Sequence, residues 1–370
     1  MKRENDHRDI DFMKMAYGLA LRAKGRTSPN PLVGAVIVKQ NRVISIGYHQ
    51  RCGGDHAEII ALKKAGPRAK GAKLYVTLEP CAHFGRTPPC ADRIIQSGIK
   101  EVIVGMKDPN PVTCGRSLRR LRQSGIKVKV GFLKQELSKM NEAFIKYIKY
   151  KMPFVVAKCA QTLDGKVATR TGQSRWITSS KTREISRRLR KDFDAIVVGV
   201  NTVRKDNPFL NATGPSKPIK KIIIDSTLDT PVRARLFQNT RPQDITLCAT
   251  KEARKNKLKT FTKKGINVMI CPGAKGRVSL RYVFRALAQR EITNILIEGG
   301  SQIIGSALKK KLVDKMWVLI APKILGDQKA ISSVRGLSPL RIDQAILLKD
   351  LACLKIDQDL WVEAYVCRNR

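Results

Sequence analysis

Short apolar runs rich in β-branched residues take turns with longer amphipathic segments that end at Gly or Pro, and the pattern restarts once, at Pro153. A strand that is apolar throughout needs cover on both faces, and intervening helices supply it, so this rhythm restricts the chain to α/β architectures. Residues 10–23 read as a helix that stops at the Gly and Pro signals of "GRTSPNP". "VGAVIV" and "VISIGY" read as strands, and a helix starts near Asp55 and ends at Gly66. "KLYVTLEP" is a buried strand, "PPCADRIIQSG" opens with Pro and closes with Gly as a helix does, and "EVIVGM" is the next strand. The Lys-rich stretch "QELSKMNEAFIKYIKYKMP" reads as helical and leads to Pro153. Beyond it "FVVAKCA", "AIVVGV", "KIIIDS", "ITLCAT", "INVMI", "NILIEGG", "KMWVLIAP" and "LWVEAYV" follow as strands. The boundary falls near residue 150, giving domains over 1–150 and 151–370, each with a mixed or parallel sheet flanked by helices. No internal repeat is visible.

Composition excludes several classes. At 370 residues with 42% hydrophobic side chains, the chain has material for two packed cores. No apolar run approaches the ~20 residues of a membrane helix, and the start "MKRENDHRDIDFMKMAYG", which carries acids and lacks a continuous apolar core, does not read as a signal peptide. Nine scattered cysteines do not form a secreted disulfide framework, so a cytoplasmic, reducing compartment is expected. The net charge of +42 invites a nucleic-acid reading, but the excess is +17 over residues 1–150 (29 basic, 12 acidic) and +25 over 151–370 (43 basic, 18 acidic). That is nearly proportional to length, and "SRRLRK" and "KEARKNKLKTFTKK" lack interleaved aromatics for base stacking. Nucleic acid is disfavoured as the main partner; phosphorylated small molecules suit an evenly basic chain.

The chemistry-bearing residues gather in "GGDHAEII" and "EPCAHFGRTPPC". His56, Cys81 and Cys90 form a three-ligand set, the number that a catalytic zinc uses while keeping a position open. His56 and Glu58 fall in the first turn of one helix and Cys90 opens another, where the positive helix end favours the thiolate a metal requires. Glu58 is placed to move a proton between an activated water and a leaving amine. Singly these features are bland: HxE is common on helices, and cysteines nine apart are often just small buried residues. The combined order, H-x-E then P-C then C, is the signature of zinc-dependent base deaminases. Cys52 and His83 remain alternative ligands, His49 is expected near the pocket, and His7 reads as a solvated tail residue. Cys114, Cys159, Cys248, Cys271, Cys353 and Cys367 have no ligand spacing and read as structural.

Nucleic-acid and cytidine deaminases place two residues between their cysteines, whereas here there are eight, "AHFGRTPP". At this point the chain resembles the bifunctional riboflavin-biosynthesis deaminase/reductase family, through "SPNPLVGAVIV", "GYHQRCGGDHAE", "VTLEPCAHFGRTPPC" and "DPNP". In the second half "KCAQTLDGK", "SRWITS", "NTVRKDNP", "IIIDS", "IEGGSQIIGSAL" and "APKILG" continue it. The resemblance implies a cytidine-deaminase-like domain acting on a diaminopyrimidinone ribosylamino phosphate, with Zn2+ on His56, Cys81 and Cys90, Glu58 as proton shuttle, and Asn30 and Asp108 as pocket walls. It further implies a dihydrofolate-reductase-like domain that reduces the ribosyl to a ribityl group with NADPH. Ala160, Trp176, Thr202, Asp206, Ser226, Gly300, Ser301, Gln302, Ile303, Ile304, Gly305 and Ser306 would line the NADPH site, and Ser174, Arg190, Leu210 and Glu298 would face the substrate. Read from the residues alone, "IEGGSQIIGSAL" is a strand, two glycines and a helix start, which can present N–H groups to a phosphate, yet it matches neither the Rossmann fingerprint nor Walker A. Trp176 could equally be a core aromatic, and Arg190 could belong to a solvated basic face.

Departures from the family pattern occur at Ser117, which stands where the family has glycine, and at residues 207–213. There the family reads D-D-P-x-L-T-x-R and this chain reads "DNPFLNAT", so Asn207 replaces an acid, Asn211 a threonine and Thr213 a substrate-gripping arginine. Lys217 and Arg204 are nearby cations that could replace it. The reductase is expected to keep its hydride chemistry with a raised KM, which Thr213→Arg would lower. The alternatives are a deaminase with an impaired reductase half and a basic RNA-binding protein on a deaminase-like fold. A homo-oligomer is compatible with the sequence.

Overall fold

The computed structural model describes residues 2–82, 89–111, 113–213 and 217–367, with the side chains from residue 7 onward. The chain divides into two compact units, Met1–Lys151 and Met152–Arg370.

The first unit runs α1 (Lys2–Leu21), β1 (Gly34–Lys39), β2 (Arg42–Tyr48), α2 (Ala57–Ala65), β3 (Lys73–Leu78), α3 (Cys90–Gln96), β4 (Glu101–Met106), α4 (Arg116–Gln123), β5 (Lys127–Val130), α5 (Lys134–Met140) and α6 (Glu142–Tyr150). Its sheet has the order β2-β1-β3-β4-β5. β1 is antiparallel to β2 and β3, whereas β3, β4 and β5 are parallel. β4 is buried along its whole length, as an unbroken apolar run requires. Met13, Ala16 and Leu19 of α1, Ala61 and Leu62 of α2, and Leu118 and Leu121 of α4 pack with Val36, Val76 and Ile103 of the sheet in one core. Gly34 permits the close crossing of α1, because a Cβ there would lie 2.0 Å from the Ala16 carbonyl oxygen.

Three local readings change. α1 begins well before residue 10, so His7 is an exposed helical residue and not part of a tail. The segment expected as one helix after residue 134 is two, because Asn141 leaves helical geometry (φ −107°, ψ 20°). Its side chain accepts from the Leu32 N–H (2.8 Å) and donates to the Leu32 carbonyl (3.0 Å), a β-ladder-like grip that a continuous helix would forfeit. α4 and β5 are short and rich in Arg and Lys, and the i, i+3 leucines of α4 and the K-V-K-V alternation of β5 were their only apolar signals.

The second unit runs β6 (Phe154–Thr162), β7 (Lys166–Ala168), α7 (Ser180–Leu189), β8 (Ala195–Gly199), α8 (Val200–Asp206), β9 (Lys220–Ile224), β10 (Ile245–Ala249), α9 (Lys255–Lys263) and β11 (Asn267–Ile270). It continues with β12 (Gly273–Ala274), β13 (Arg277–Val278), α10 (Leu280–Gln289), β14 (Asn294–Glu298), α11 (Ser301–Lys309), β15 (Lys315–Ala321), β16 (Ile331–Ser332), β17 (Leu348–Ile356) and β18 (Asp359–Val366). The main sheet has the order β11-β10-β9-β8-β14-β6-β15-β18-β17. All neighbours from β11 to β15 are parallel, and only β18 and β17 are added antiparallel. Successive side chains of a strand point to opposite faces, and the packing shows it: Ala195 and Val197 join one core while Ile196 and Val198 join another. Edge strand β17 breaks the pattern, with every residue but Ile356 exposed. Among the described residues no helix is long and apolar enough to cross a membrane.

Candidate functional site

The three expected ligands each sit where an element begins or ends. His56 is the N-cap of α2, Cys90 is the first residue of α3, and Cys81 follows the end of β3. The Cys90 and Ala91 N–H groups, free because they open α3, donate to the Cys81 sulfur (3.2 Å) and the Cys81 carbonyl (3.2 Å), which fixes the strand end to the helix start. The His56 Nδ1 lies 3.2 Å from the Cys90 Sγ and 3.6 Å from the Cys81 Sγ, and all three ligand atoms fall within 4.8 Å of one another. A tetrahedral zinc with bonds of about 2.3 Å to sulfur and about 2.05 Å to nitrogen sets N···S edges of about 3.6 Å. The donor set therefore fits zinc in both chemistry and spacing. Cys52 is not in this grouping among the described residues, and His83 lies outside them.

Charge at the site is divided unequally. A hydrogen bond from the Cys90 thiol, then burial opposing it and a hydrogen bond to His56, leave the Cys81 thiol at about 4, well below its usual range. The Cys90 thiol is pushed upward, chiefly by that same bond to Cys81 and by burial. Its bond to Cys81 raises the imidazole of His56. Glu58 is 3% exposed, and burial pushes its carboxyl up to about 7. A carboxyl in that range can both take and release a proton near neutral pH.

The surrounding walls are braced from within. The Asn30 amide lies 3.1 Å from the Nε2 of buried His49, whose Nδ1 reaches the Asp55 carbonyl, and the His49 and His56 rings meet edge-on at 5.5 Å. Asp108 accepts from the Asn110 N–H and the Thr113 hydroxyl, so its carboxylate shapes its own loop. Sequence reasoning overlooked Glu79. Its buried carboxylate accepts from the Asp108 and Gly115 N–H groups and from the hydroxyl of Ser117, the residue that departs from the family glycine. A glutamate closing an apolar strand in "VTLEP" was the available signal, since buried acids must be satisfied.

In the second unit the residues expected around NADPH gather at the carboxyl ends of the central parallel strands, where open α/β sheets bind ligands. Ala160 is near the end of β6, Thr202 follows β8 on α8, Ser226 follows β9, and Gly300 follows β14. Gly299 and Gly300 have φ of 81° and 82°, and a Cβ on Gly300 would meet the Thr202 hydroxyl at 3.3 Å, so glycine brings this turn against α8. Ser301, Gln302 and Ile303 form the first turn of α11. Farther along, Ile304 and Gly305 are buried, and a Cβ on Gly305 would fall 1.8 Å from the Arg335 carbonyl oxygen. Gly305 thus serves close packing. Ser226 accepts from the Val278 N–H, and Ser174 donates to Asp206. Trp176 is 60% exposed with the Arg183 guanidinium 4.2 Å over its ring, so it is not a core aromatic. Cys114 and Cys353 are likewise exposed, which corrects their reading as structural.

Arg190 is not on a solvated face. Its guanidinium grips Glu298 bidentately (2.8 and 2.9 Å) and donates through Nη1 to the Asn211 carbonyl (2.8 Å). Lys158, opposite Glu298 in the β6–β14 ladder, adds a second cation at 3.3 Å. Burial alone would raise Glu298, but Arg190 and Lys158 outweigh it and hold the carboxyl at about 2. Leu210 is buried beside them, in the left-handed region at φ 58°. The altered residues of this loop bind within the protein. Asn207 Oδ1 accepts from the Arg235 N–H and Asn211 Oδ1 from Lys221, while Thr213 is exposed. Lys217 pairs with Asp194 and Arg204 is exposed on α8. Lys158 and Lys221 went unread as site residues, although a lysine inside an apolar strand is itself a signal.

Comparison with known proteins agrees with both halves. Residues 6–106 match the cytidine and deoxycytidylate deaminase zinc-binding region, and residues 153–362 match the RibD C-terminal domain. The riboflavin biosynthesis protein RibD of Aquifex aeolicus is 44% identical over 88% of this chain and 90% of its own length. That of Actinobacillus pleuropneumoniae is 41% identical over 97% and 95%. Among solved structures, Acinetobacter baumannii RibD superimposes with a TM-score of 0.87 at 32% identity, covering 98% of this chain and 99% of its own. A deaminase/reductase from Thermotoga maritima, acting on diaminohydroxyphosphoribosylaminopyrimidine and 5-amino-6-(5-phosphoribosylamino)uracil, gives 0.85 at 35% identity with the same coverage. With a zinc-binding deaminase region in its first unit and a reductase domain in its second, the chain belongs to the RibD family of bifunctional riboflavin-biosynthesis enzymes.

Proposed function

We propose that residues 1–150 hydrolytically deaminate 2,5-diamino-6-(5-phosphoribosylamino)pyrimidin-4(3H)-one and that residues 151–370 reduce the ribosyl group of the product to ribityl with NADPH. The convergence of His56, Cys81 and Cys90 beside buried Glu58 is the observation that carries this reading. When bound, zinc supplies the Lewis acidity that makes water nucleophilic near neutral pH, and NADPH supplies the hydride. Glu58 takes a proton from the attacking water and gives it to the departing exocyclic amine. Asn30 and Asp108 hold the planar base through loops that Glu79 and His49 keep rigid. Across the second site, Ser301, Gln302 and Ser306 of α11, with Thr202 and Asp206, take the cofactor. Arg190 spends three of its five N–H donors on Glu298 and Asn211, which leaves two for the substrate. The test is a paired assay on the purified chain: ammonia release from the diaminopyrimidine, and NADPH oxidation once that product is present. Ammonia release without NADPH oxidation would leave the deaminase assignment and remove the reductase one.

For the quaternary state the proposal is a homodimer through β17. This edge strand exposes Leu348, Leu351 and Leu354 at 44%, 67% and 63%. The unpaired edge and the exposed leucines together suit pairing with the same strand of a second copy. Leu351→Lys combined with Leu354→Lys is expected to halve the mass measured by sedimentation; an unchanged mass rejects this interface. The exposed thiols of Cys114 and Cys353 suit a reducing, cytoplasmic compartment.

A further inference from the structure

Lys221 is a charged residue inside an apolar strand, 2% exposed, with no part in the chemistry above. Its ammonium lies within hydrogen-bond distance of four oxygens: the Phe209 carbonyl (2.5 Å), Asn211 Oδ1 (2.7 Å), the Thr240 hydroxyl (2.6 Å) and the Leu236 carbonyl (3.2 Å). All four are neutral. Burying a cation among neutral acceptors forfeits hydration, and the attraction of Asp244 does not outweigh that loss and the repulsion of Arg190, so packing alone would favour an apolar residue here. What the ammonium does is join segments far apart in sequence. It clamps residues 209–211 and residues 236–240 onto β9 at one point.

The clamped loop is the one that meets the substrate end of the reductase site. Leu210 is held between two residues that Lys221 grips, in a backbone region that a leucine rarely adopts. Asn211 is bonded twice, its side chain by Lys221 and its carbonyl by Arg190. Arg190 in turn carries Glu298. A chain of contacts therefore runs from Lys221 through Asn211 to the Arg190–Glu298 pair. Asn211 stands where the family pattern has threonine, and its longer side chain supplies one of the four acceptors. On the same loop the Arg235 guanidinium stacks 4.0 Å over the Phe209 ring, and the Asn207 side chain accepts from the Arg235 N–H.

We propose that Lys221 is a positioning residue of the reductase: through Asn211 it sets Leu210 and Arg190 for the phosphorylated pyrimidine without touching that substrate. This rests on the assignment of Arg190, Leu210 and Glu298 to the substrate side. The test uses the full-length, zinc-loaded chain with the deaminated pyrimidine and NADPH. Lys221→Met is expected to raise the KM for the pyrimidine roughly tenfold while kcat changes less than about threefold. NADPH affinity, read by fluorescence titration, and ammonia release are expected to stay at wild-type values. An unchanged KM overturns the proposal. So does a joint loss of kcat, NADPH affinity and thermal stability, which marks Lys221 as structural only. Should Lys221→Met fail to fold, Asn211→Leu removes a single acceptor and is expected to raise KM about threefold; no change there also overturns it. Arg190→Gln separates the two levels. If Arg190→Gln leaves KM unaltered, the substrate side has been misassigned; if it raises KM and Lys221→Met does not, only the clamp is wrong.

Discussion

Glu58→Gln is expected to lower ammonia release by about 10²–10⁴-fold, the usual worth of a positioned proton carrier, with zinc content unchanged. Glutamine keeps the shape of the side chain and its place in the first turn of α2, but it cannot carry a proton from the nucleophile to the amine. Folding should not suffer, because Glu58 is 3% exposed and burying a neutral amide costs less than burying a carboxylate. Reduction of the deaminated pyrimidine by the second unit serves as the internal control and should proceed at the wild-type rate. The check combines ammonia release with elemental analysis of the same sample. Near-normal turnover by a zinc-loaded Glu58→Gln protein would end the assignment.

The second large effect is on the metal itself. Cys90→Ala leaves two of the three ligands, and purified protein should fall from about one zinc per chain to a small fraction of that, with deamination lost alongside. Alanine is a good opening residue for α3, and the backbone N–H that donates to the Cys81 sulfur belongs to whichever residue occupies position 90, so the helix start survives. A chelator should lower the Tm of the wild type, since a metal bound to the folded state stabilises it by mass action, and should leave Cys90→Ala unmoved. Full zinc occupancy in that variant would show that the third ligand comes from elsewhere, with Cys52 the first place to look.

The grouping of His56, Cys81 and Cys90 was legible in the sequence because its parts are local. His56 and Glu58 share one helical turn, Cys81 and Cys90 bracket one loop, and helix starts are announced by Pro and by the end of a strand. The strands were legible for a related reason: a strand covered on both faces is apolar at every position, and "EVIVGM" or "AIVVGV" admits few other readings. What escaped depends on partners remote in sequence. The break at Asn141 is dictated by Leu32, 109 residues away. Glu79 takes its meaning from the Gly115 N–H and the Ser117 hydroxyl, and Lys221 from two separate loops. Such bonds satisfy single polar atoms and leave no periodicity behind them. β17 escaped for the opposite reason, since exposure on both faces removes the alternation by which a strand is recognised.

Every proposed zinc ligand and Glu58 come from Met1–Lys151, and every residue assigned to the reductase comes from Met152–Arg370. Each proposed set of residues lies within one unit, so a lineage can alter one set without substituting the other. Natural selection then sees two separately heritable catalysts on one polypeptide, each free to drift at its own pace. Asn207, Asn211 and Thr213, set beside an intact His56, Cys81 and Cys90, are what such uneven descent looks like in a single chain.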